Sequence, residues 1–378
     1  MEKHREKLIS LCEIQYGYAF DSKQFSNNNA YIPLVRIRDV KRGFSETFYS
    51  GEYPEEYVLH AGDILVGMDG EFNIARWKSR NALLNQRVCK ITAKKDIDDE
   101  YLRFALAKEL KKIESRTAFA TVKHLSAKEL NKLELEIPSY KNQKLISEIL
   151  TKLEKIICFY ERQLEQLNQL IKSRFVEMFG DPITNPKSWK MVTIGDIVTE
   201  VRYGTSRPAV EGGEYPYLRM NNLTYDGYLD LTDLKRIDIP ESEIEKYIVH
   251  KGDVLFNRTN SVELVGKTCV FEEPEDMIIA GYIIRVRLKS IFLPVVLSCF
   301  MNTDALKGRL KNMAKGAVNQ ANINAQELQA IEVYMPPLNL QNQFSEFVHQ
   351  VDKLKVEAQG NLEKVQLLFD SLMQQYFG

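Results

Sequence analysis

Two stretches of this chain repeat one pattern of apolar and polar positions. Apolar residues fall at Leu153, Ile157, Tyr160, Leu164, Leu167, Ile171 and Met178, spaced alternately by four and three as far as Ile171. Shifted by 198 positions, Val351, Lys355, Ala358, Leu362, Val365, Phe369 and Tyr376 repeat that spacing without a gap. Alternating fours and threes make a heptad seam rather than the broader stripe of a globular helix. The pattern predicts two long helices, 141–178 and 339–376, each running to a Phe-Gly pair. A helix of that length spans about 57 Å at 1.5 Å per residue. Neither helix can cover its stripe alone, so each is the expected partner of the other. The seams are similar but not identical: Arg174 stands where the second copy has Leu372. Gly360 costs about 1 kcal/mol against alanine inside a helix and marks an expected bend.

The regions ahead of the helices also repeat. EEYVLHAGDIL (55–65) matches EKYIVHKGDVL (245–255), YIPLVRIRDV (31–40) matches YPYLRMNNL (215–223), and KLISLCEI (7–14) matches KMVTIGDI (190–197). The offset grows along the chain, so the second copy holds extra residues in its loops. Short apolar runs bounded by Gly, Asn and Pro predict strands at Tyr31–Val40, Asp63–Gly67 and Arg87–Thr92, then at Tyr215–Met220, Asp253–Asn257 and Ile278–Leu288. A helix follows in each copy, about Asp99–Glu114 and Leu293–Met313, then a loop and a strand ending in proline. The expected division is a domain at 1–140, a long helix at 141–180, a second domain at 181–337 and a second helix at 338–378. The class is α+β: two similar globular domains, each followed by one long helix, with the helices packed as an antiparallel coiled coil of pseudo-twofold symmetry. FGDPITNPKSW (179–189) cannot continue a helix and reads as the linker between copies.

Composition narrows the partners. No run of eighteen apolar residues exists, and the charged start MEKHREK leads into no hydrophobic signal core, which points to a cytoplasmic protein. Five scattered cysteines without a CxxC pair fit reduced thiols better than disulfides or zinc. Net charge is −1, divided as +2, +2, −3 and −2 over the four segments. A nucleic-acid partner would therefore meet local basic clusters, or a larger complex must supply positive surface.

Catalytic motifs are missing. VGKT (265–268) ends like a phosphate loop but has Ser261 where the loop needs glycine. MPPL (335–338) lacks the polar and aromatic ends of a methyltransferase tetrapeptide, and no glycine-rich cofactor turn precedes it. His60 and His250 share one repeat position but have no second ligand at metal spacing, which favours a hydrogen-bonded turn. No metal site is expected. The polar clusters carry more. The first domain has Arg36, Arg38 and Lys41, then Arg76, Lys78 and Arg80, and a loop with Lys123. The second has Tyr203 and Arg207, then Arg219, Asn221 and Asn222, then Arg258 and Asn260, and a loop with Lys315 and Asn319. Arg and Asn pair bidentately with guanine and adenine edges, while Lys and Thr more often meet phosphate. As clusters on a duplicated scaffold they point to DNA; singly, each fits a solvated loop equally well.

The duplicated HxGD(I/V)L segments, TVKHLSAKELNKLELEIPSYKNQ with its partner AVNQANINAQELQAIEVYMPPLNLQNQ, and the endings MFGDP and YFG together carry a family likeness. The chain resembles the specificity subunit of type I restriction–modification systems over essentially its whole length. The resemblance implies two target recognition domains, each reading half of a split double-stranded DNA site, with the coiled coil setting their spacing. It also implies two methyltransferase subunits as partners, with endonuclease-translocase subunits joining for cleavage. S-adenosylmethionine, ATP and magnesium would be bound by those partners and not by this chain, which would be non-catalytic. A competing expectation is a coiled-coil scaffold whose domains bind proteins, favoured by the near-neutral charge and disfavoured by the Arg- and Asn-rich loops.

Overall fold

A computed structural model describes residues 3–116, 123–314 and 321–378. The chain forms two compact units, Met1–Tyr160 with Gly360–Gly378, and Glu161–Gln359. Each unit thus holds one domain, the first half of the helix that follows it, and the last half of the other long helix.

In the first unit, an antiparallel sheet has the order Cys12–Tyr16, Val88–Ala93, Ile64–Gly67, Ile74–Arg76. A second sheet of short strands contains the parallel pair Ile32–Val35 and Ala82–Leu84. Leu34, Val35, Leu65, Val66, Leu83 and Leu84 are all buried, so these runs are apolar throughout rather than alternating. Lys3–Lys7 pairs with Glu134–Pro138 and closes the domain at the root of its long helix. The second unit repeats the plan. Its antiparallel sheet runs Val198–Tyr203, Ile283–Leu288, Val254–Asn257, Thr268–Val270. Tyr215–Leu218 lies parallel to Met277–Ile279, and Lys190–Thr193 pairs with Glu332–Met335.

The repeated sequence words now have physical causes. In HxGD, the Asp63 carboxylate accepts the His60 backbone N–H at 2.9 Å, and Asp253 does the same for His250 at 3.0 Å. Gly62 and Gly252 turn at φ 99° and 93°, a region closed to most side chains. The His250 ring meets Asp276 at 2.9 Å, and no cluster of three metal-ligating side chains occurs among the described residues. Near the start of each long helix, Gln143 and Gln341, 198 positions apart, are buried clamps. Gln143 donates to the Pro138 carbonyl at 3.0 Å and accepts the Asp98 N–H at 2.9 Å. Gln341 donates to Pro336 O at 2.9 Å and accepts the Leu293 N–H at 2.9 Å. Each glutamine ties the last strand to the start of the domain's own helix.

The long helices run Tyr140–Phe179 and Leu338–Phe377. In the first unit, Phe369, Leu372, Met373, Tyr376 and Phe377 pack on the core that holds Ile146 and Leu150. In the second, Phe175 and Phe179 meet Phe344 at ring separations of 5.5 and 5.2 Å, beside Ile171, Val348 and Val351. Within each unit the end of one helix lies on the start of the other, so the pairing is antiparallel. Leu153, Ile171, Val351 and Ala358 are buried, and Ile157, Tyr160, Leu164, Leu167, Leu362, Val365, Phe369 and Leu372 are half-buried, as a shared seam requires. Lys355 interrupts the apolar seam because its ammonium sits 3.3 Å from the Tyr228 ring centre and 3.5 Å from Asp352. Tyr228 belongs to the loop by which the second domain is longer. Burial there lowers Lys307 to about 8; it donates to the Tyr225 carbonyl. The second helix is unbroken across Gly360.

Several expected elements differ. Tyr31–Val40 is a strand only over Ile32–Val35, then a helix over Ile37–Arg42. The Asp39 carboxylate accepts the Arg36 N–H at 2.9 Å, and Gly43 closes the turn at φ 78°; this local capping overrides the alternating pattern. Leu293–Met313 is two helices, Pro294–Met301 and Asp304–Met313, because the Thr303 hydroxyl caps a fresh start. Ile278–Leu288 is likewise two strands, Met277–Ile279 and Ile283–Leu288, in different sheets. Lys267 of VGKT is buried and donates to Met220 O at 2.8 Å, with a strand rather than a helix behind it. None of the five cysteines is in a disulfide, and burial pushes Cys89 and Cys269 up to about 12. Among the described residues no helix is long and apolar enough to cross a membrane.

Candidate nucleic-acid interface

In each domain four separate segments meet at one sheet edge, and backbone hydrogen bonds set the correspondence between the two edges. In the first domain, Gly17 N–H donates to Val88 O at 3.0 Å, Met68 N–H to Arg87 O at 2.9 Å, and Leu125 N–H to Met68 O at 2.7 Å. In the second, Gly204 N–H donates to Ile283 O at 3.1 Å, Arg258 N–H to Tyr282 O at 2.9 Å, and Ile323 N–H to Arg258 O at 2.9 Å. Isolated bridges join Asp69 to His124, and strand pairing joins Thr259 to Asn322. Both glycines are required by packing: a Cβ on Gly17 would lie 2.0 Å from the Asn85 carbonyl oxygen, and one on Gly204 2.3 Å from that of Ala280. The parallel strands Ile32–Val35 and Ala82–Leu84 end together, so Arg36 emerges beside Asn85. Tyr215–Leu218 and Met277–Ile279 bring Arg219 beside Ala280 in the same way.

The chemistry on the two edges differs. The first is charged and internally neutralised. Asp69 binds both Arg87 and, at 2.5 Å, His124 Nδ1. Lys123 pairs with Glu114 at 3.2 Å. Arg36 and Lys41 are exposed, and Arg38 lies 3.7 Å from Asp39 with a weak 3.4 Å contact to Thr47. The second edge adds amides, hydroxyls and one stacked guanidinium to ion pairs of its own. Arg258 lies over the Tyr203 ring at 4.9 Å and donates to Gly281 O at 3.2 Å, while the Tyr203 hydroxyl accepts the Ala325 N–H at 2.8 Å. Asn257 is fully buried and donates to Thr259 O and Tyr282 O, both at 3.1 Å, holding the loop. Arg207 is paired with Glu243 at 2.9 Å and Arg219 with Asp233 at 2.7 Å; Asn221 is exposed. Hydrogen bonds and the charge of Glu243 hold the Arg207 guanidinium above its ordinary pKa.

The edges therefore gather Arg36 and Lys123 in the first domain, and Tyr203, Arg219, Arg258 and Asn260 in the second; Asn221 follows Arg219, Arg38 and Lys41 lie on the helix Ile37–Arg42, and Arg207 turns to Glu243. The edges do not gather Arg76, Lys78 and Arg80. Arg76 pairs with Ile64 at the opposite end of the strand that reaches Gly67. Burial works against its charge, but Asp99 at 2.5 Å and Glu100 hold it above the usual pKa and fix a helix start to the sheet. The Lys78 stem packs against Gly43, and Arg80 donates to Asn29 O at 2.6 Å and Tyr31 O at 2.9 Å. Asn222 is also a structural residue: it is buried, accepts the Arg219 N–H at 2.9 Å and donates to Asp230 O at 2.8 Å. Lys315 and Asn319 lie outside the described residues. The residues that sequence reasoning missed at these edges are Tyr18, Asp69, Gln86, Arg87, Tyr282 and Asn322. Aligning NQRVCKI (85–91) with AGYIIRV (280–286) in the repeat would have exposed Arg87 and Tyr282.

Comparison with known proteins agrees with this duplicated arrangement. The family model of the type I restriction modification DNA specificity domain matches twice, over residues 4–169 and 186–366. The chain is 29% identical to the EcoBI specificity subunit of Escherichia coli over 99% of its own length and 85% of that protein. It is 23% identical to the EcoKI specificity subunit of Escherichia coli strain K12, covering 96% of this chain and 85% of the relative. Its fold is similar to that of the type I restriction-modification S subunit from M. genitalium, with a TM-score of 0.61 at 15% identity over 100% of this chain and 96% of that one. A chain solved in work on complex assembly and conformational transition of the type I R-M system gives a TM-score of 0.52 at 16% identity, covering 99% and 97%. With two matched domains spanning nearly all its length, this chain belongs to the family of type I restriction–modification specificity proteins.

Proposed function

We propose that this chain is the DNA-recognition subunit of a type I restriction–modification complex, each domain reading one half of a bipartite site. The observation that carries the reading is one edge built twice on the same backbone hydrogen bonds, with different side chains on each copy. Such an edge suits two different half-sites read in the same manner, with Arg and Asn meeting bases and Lys meeting phosphate. The paired long helices would set the unread spacer and offer docking surface to two methyltransferase subunits, with endonuclease-translocase subunits joining for cleavage. Methyl transfer requires the target adenine to leave the stack for a partner's pocket, so this chain performs no chemistry. S-adenosylmethionine, ATP and magnesium would act on the partners. The near-neutral charge also suits a subunit whose partners contribute the rest of a basic clamp.

The test is to co-express the chain with its methyltransferase subunit in a methylation-free host and map modified adenines across the genome. The expected result is a split motif with one modified adenine in each half. A continuous motif, or none, overturns the reading. Inserting one heptad into both helices should lengthen the spacer and leave the bases of each half unchanged.

A further inference from the structure

At the edge of the second domain one side chain differs from its neighbours in what it leaves unused. Asn257 and Asn222 are buried in loop-holding hydrogen bonds. Asn260 is closed at both ends, donating to Asn257 Oδ1 at 2.9 Å and accepting the Ser261 N–H at 2.9 Å. Asn322, on the two-residue strand Ala321–Asn322, is exposed. Its single side-chain hydrogen bond among the described residues comes from the buried Thr259 hydroxyl, which donates to Asn322 Oδ1 at 2.8 Å. That bond holds one end of the amide against Thr259 and turns the other outward. Among the described residues, one Oδ1 lone pair and both Nδ2 hydrogens are left for a ligand.

We propose that Asn322 is a specificity-determining residue of the second domain, contacting an adenine edge in the major groove, with Thr259 as its positioning residue. This rests on the DNA-recognition reading above. An acceptor and a donor side by side match adenine, which presents N6–H and N7 together. Guanine presents two acceptors, and thymine only O4 and a methyl group, so neither satisfies both ends of the amide. The Thr259 bond removes amide freedom before DNA arrives, which lowers the ordering cost of binding. Asn221 is also exposed but has no such anchor among the described residues. At the matching place in the first domain stand Asp69 and His124, a hydrogen-bonded couple with different donors and acceptors. The two half-sites are accordingly read with different groups at a common position.

The experiment uses the complete methyltransferase–specificity complex and compares its modified motif for wild type, Asn322→Ala, Asn322→Asp and Thr259→Val. In Asn322→Ala, one A·T position of the second half-site should lose discrimination by about 10-fold or more while the first half-site stays intact. Asn322→Asp has lost both donors and should disfavour adenine at that same position. Thr259→Val should weaken stringency there by a smaller factor and keep the base preference. Should a variant abolish methylation, gel shifts of the purified complex on duplexes varied base by base decide. Loss confined to one A·T position supports the assignment. Uniform weakening across sequences makes Asn322 a phosphate contact and overturns it. An unchanged second half-site in Asn322→Ala, with a bipartite wild-type motif, defeats Asn322 alone. A wild-type complex without a bipartite motif defeats the DNA-reading assignment itself.

Discussion

The edge of the first domain and the edge of the second share every backbone contact described above and almost no side chain. Gly17 and Gly204 approach opposing carbonyls equally closely, and His60-Gly62-Asp63 and His250-Gly252-Asp253 make the same turn. Where the first domain sets Asp69 against His124 and Arg87, the second sets Thr259 against Asn322, with Arg258 stacked on Tyr203. Scaffold and readout are therefore separable: the first is held by close backbone packing, the second by a few exposed groups. The largest effect should come from striking the shared part. Gly17→Ala and Gly204→Ala each force a Cβ against a backbone carbonyl and should cost about 3 kcal/mol or more in their own domain. Denaturant unfolding of each variant checks this, and unequal losses would break the equivalence of the two edges.

The glutamine clamps should rank next. Gln143→Ala leaves the Asp98 N–H and Pro138 carbonyl without partners, and Gln341→Ala does so for Leu293 and Pro336. Buried orphans of this kind cost about 1–3 kcal/mol each. The two variants should lose similar stability by equilibrium unfolding, because the clamp is built alike in both units.

A third substitution tests the difference rather than the likeness. Asp69→Asn removes the carboxylate that holds Arg87 and His124, giving the first edge a freer positive group. Binding of the methyltransferase-bound complex to non-specific duplex should tighten several-fold, and the salt dependence should steepen by about one phosphate contact. The second domain, having no carboxylate at Thr259, offers no equivalent gain. An unchanged salt slope would place Arg87 away from DNA.

These contrasts also mark what could be read from the sequence. The long helices were legible because a heptad period is carried by neighbouring residues, and the Phe-Gly ends repeated it. The turns were legible for the same reason: His-x-Gly-Asp closes within four positions. The readout was not, because the meaning of an arginine depends on a partner far away in the chain. Arg76 meets Asp99 23 residues on, Arg207 meets Glu243 36 residues on, and Thr259 orients Asn322 across 63 residues. Polar clusters therefore led to loops that the second domain brings to one edge, yet in the first domain they also drew in Arg76 and Arg80, which anchor the sheets. Local capping likewise turned the end of an expected strand into the helix Ile37–Arg42.

The smallest predicted effect concerns a difference between the helices. Gly360 of the second helix stands where the first helix has Arg162, and it opens the segment that packs in the first unit. A Cβ at Gly360 meets no atom within 4 Å beyond its own helix backbone, and the helix runs through it without a break. Nothing steric therefore requires glycine. Gly360→Ala should stabilise the free chain by about 0.5–1 kcal/mol by restricting the unfolded state and favouring helix. The denaturant midpoint should rise with the slope unchanged. Stabilisation with undiminished methylation by the complex would make the two helices equivalent spacers. Stabilisation of the free chain with weakened assembly or methylation would instead make Gly360 a joint that only the second helix possesses.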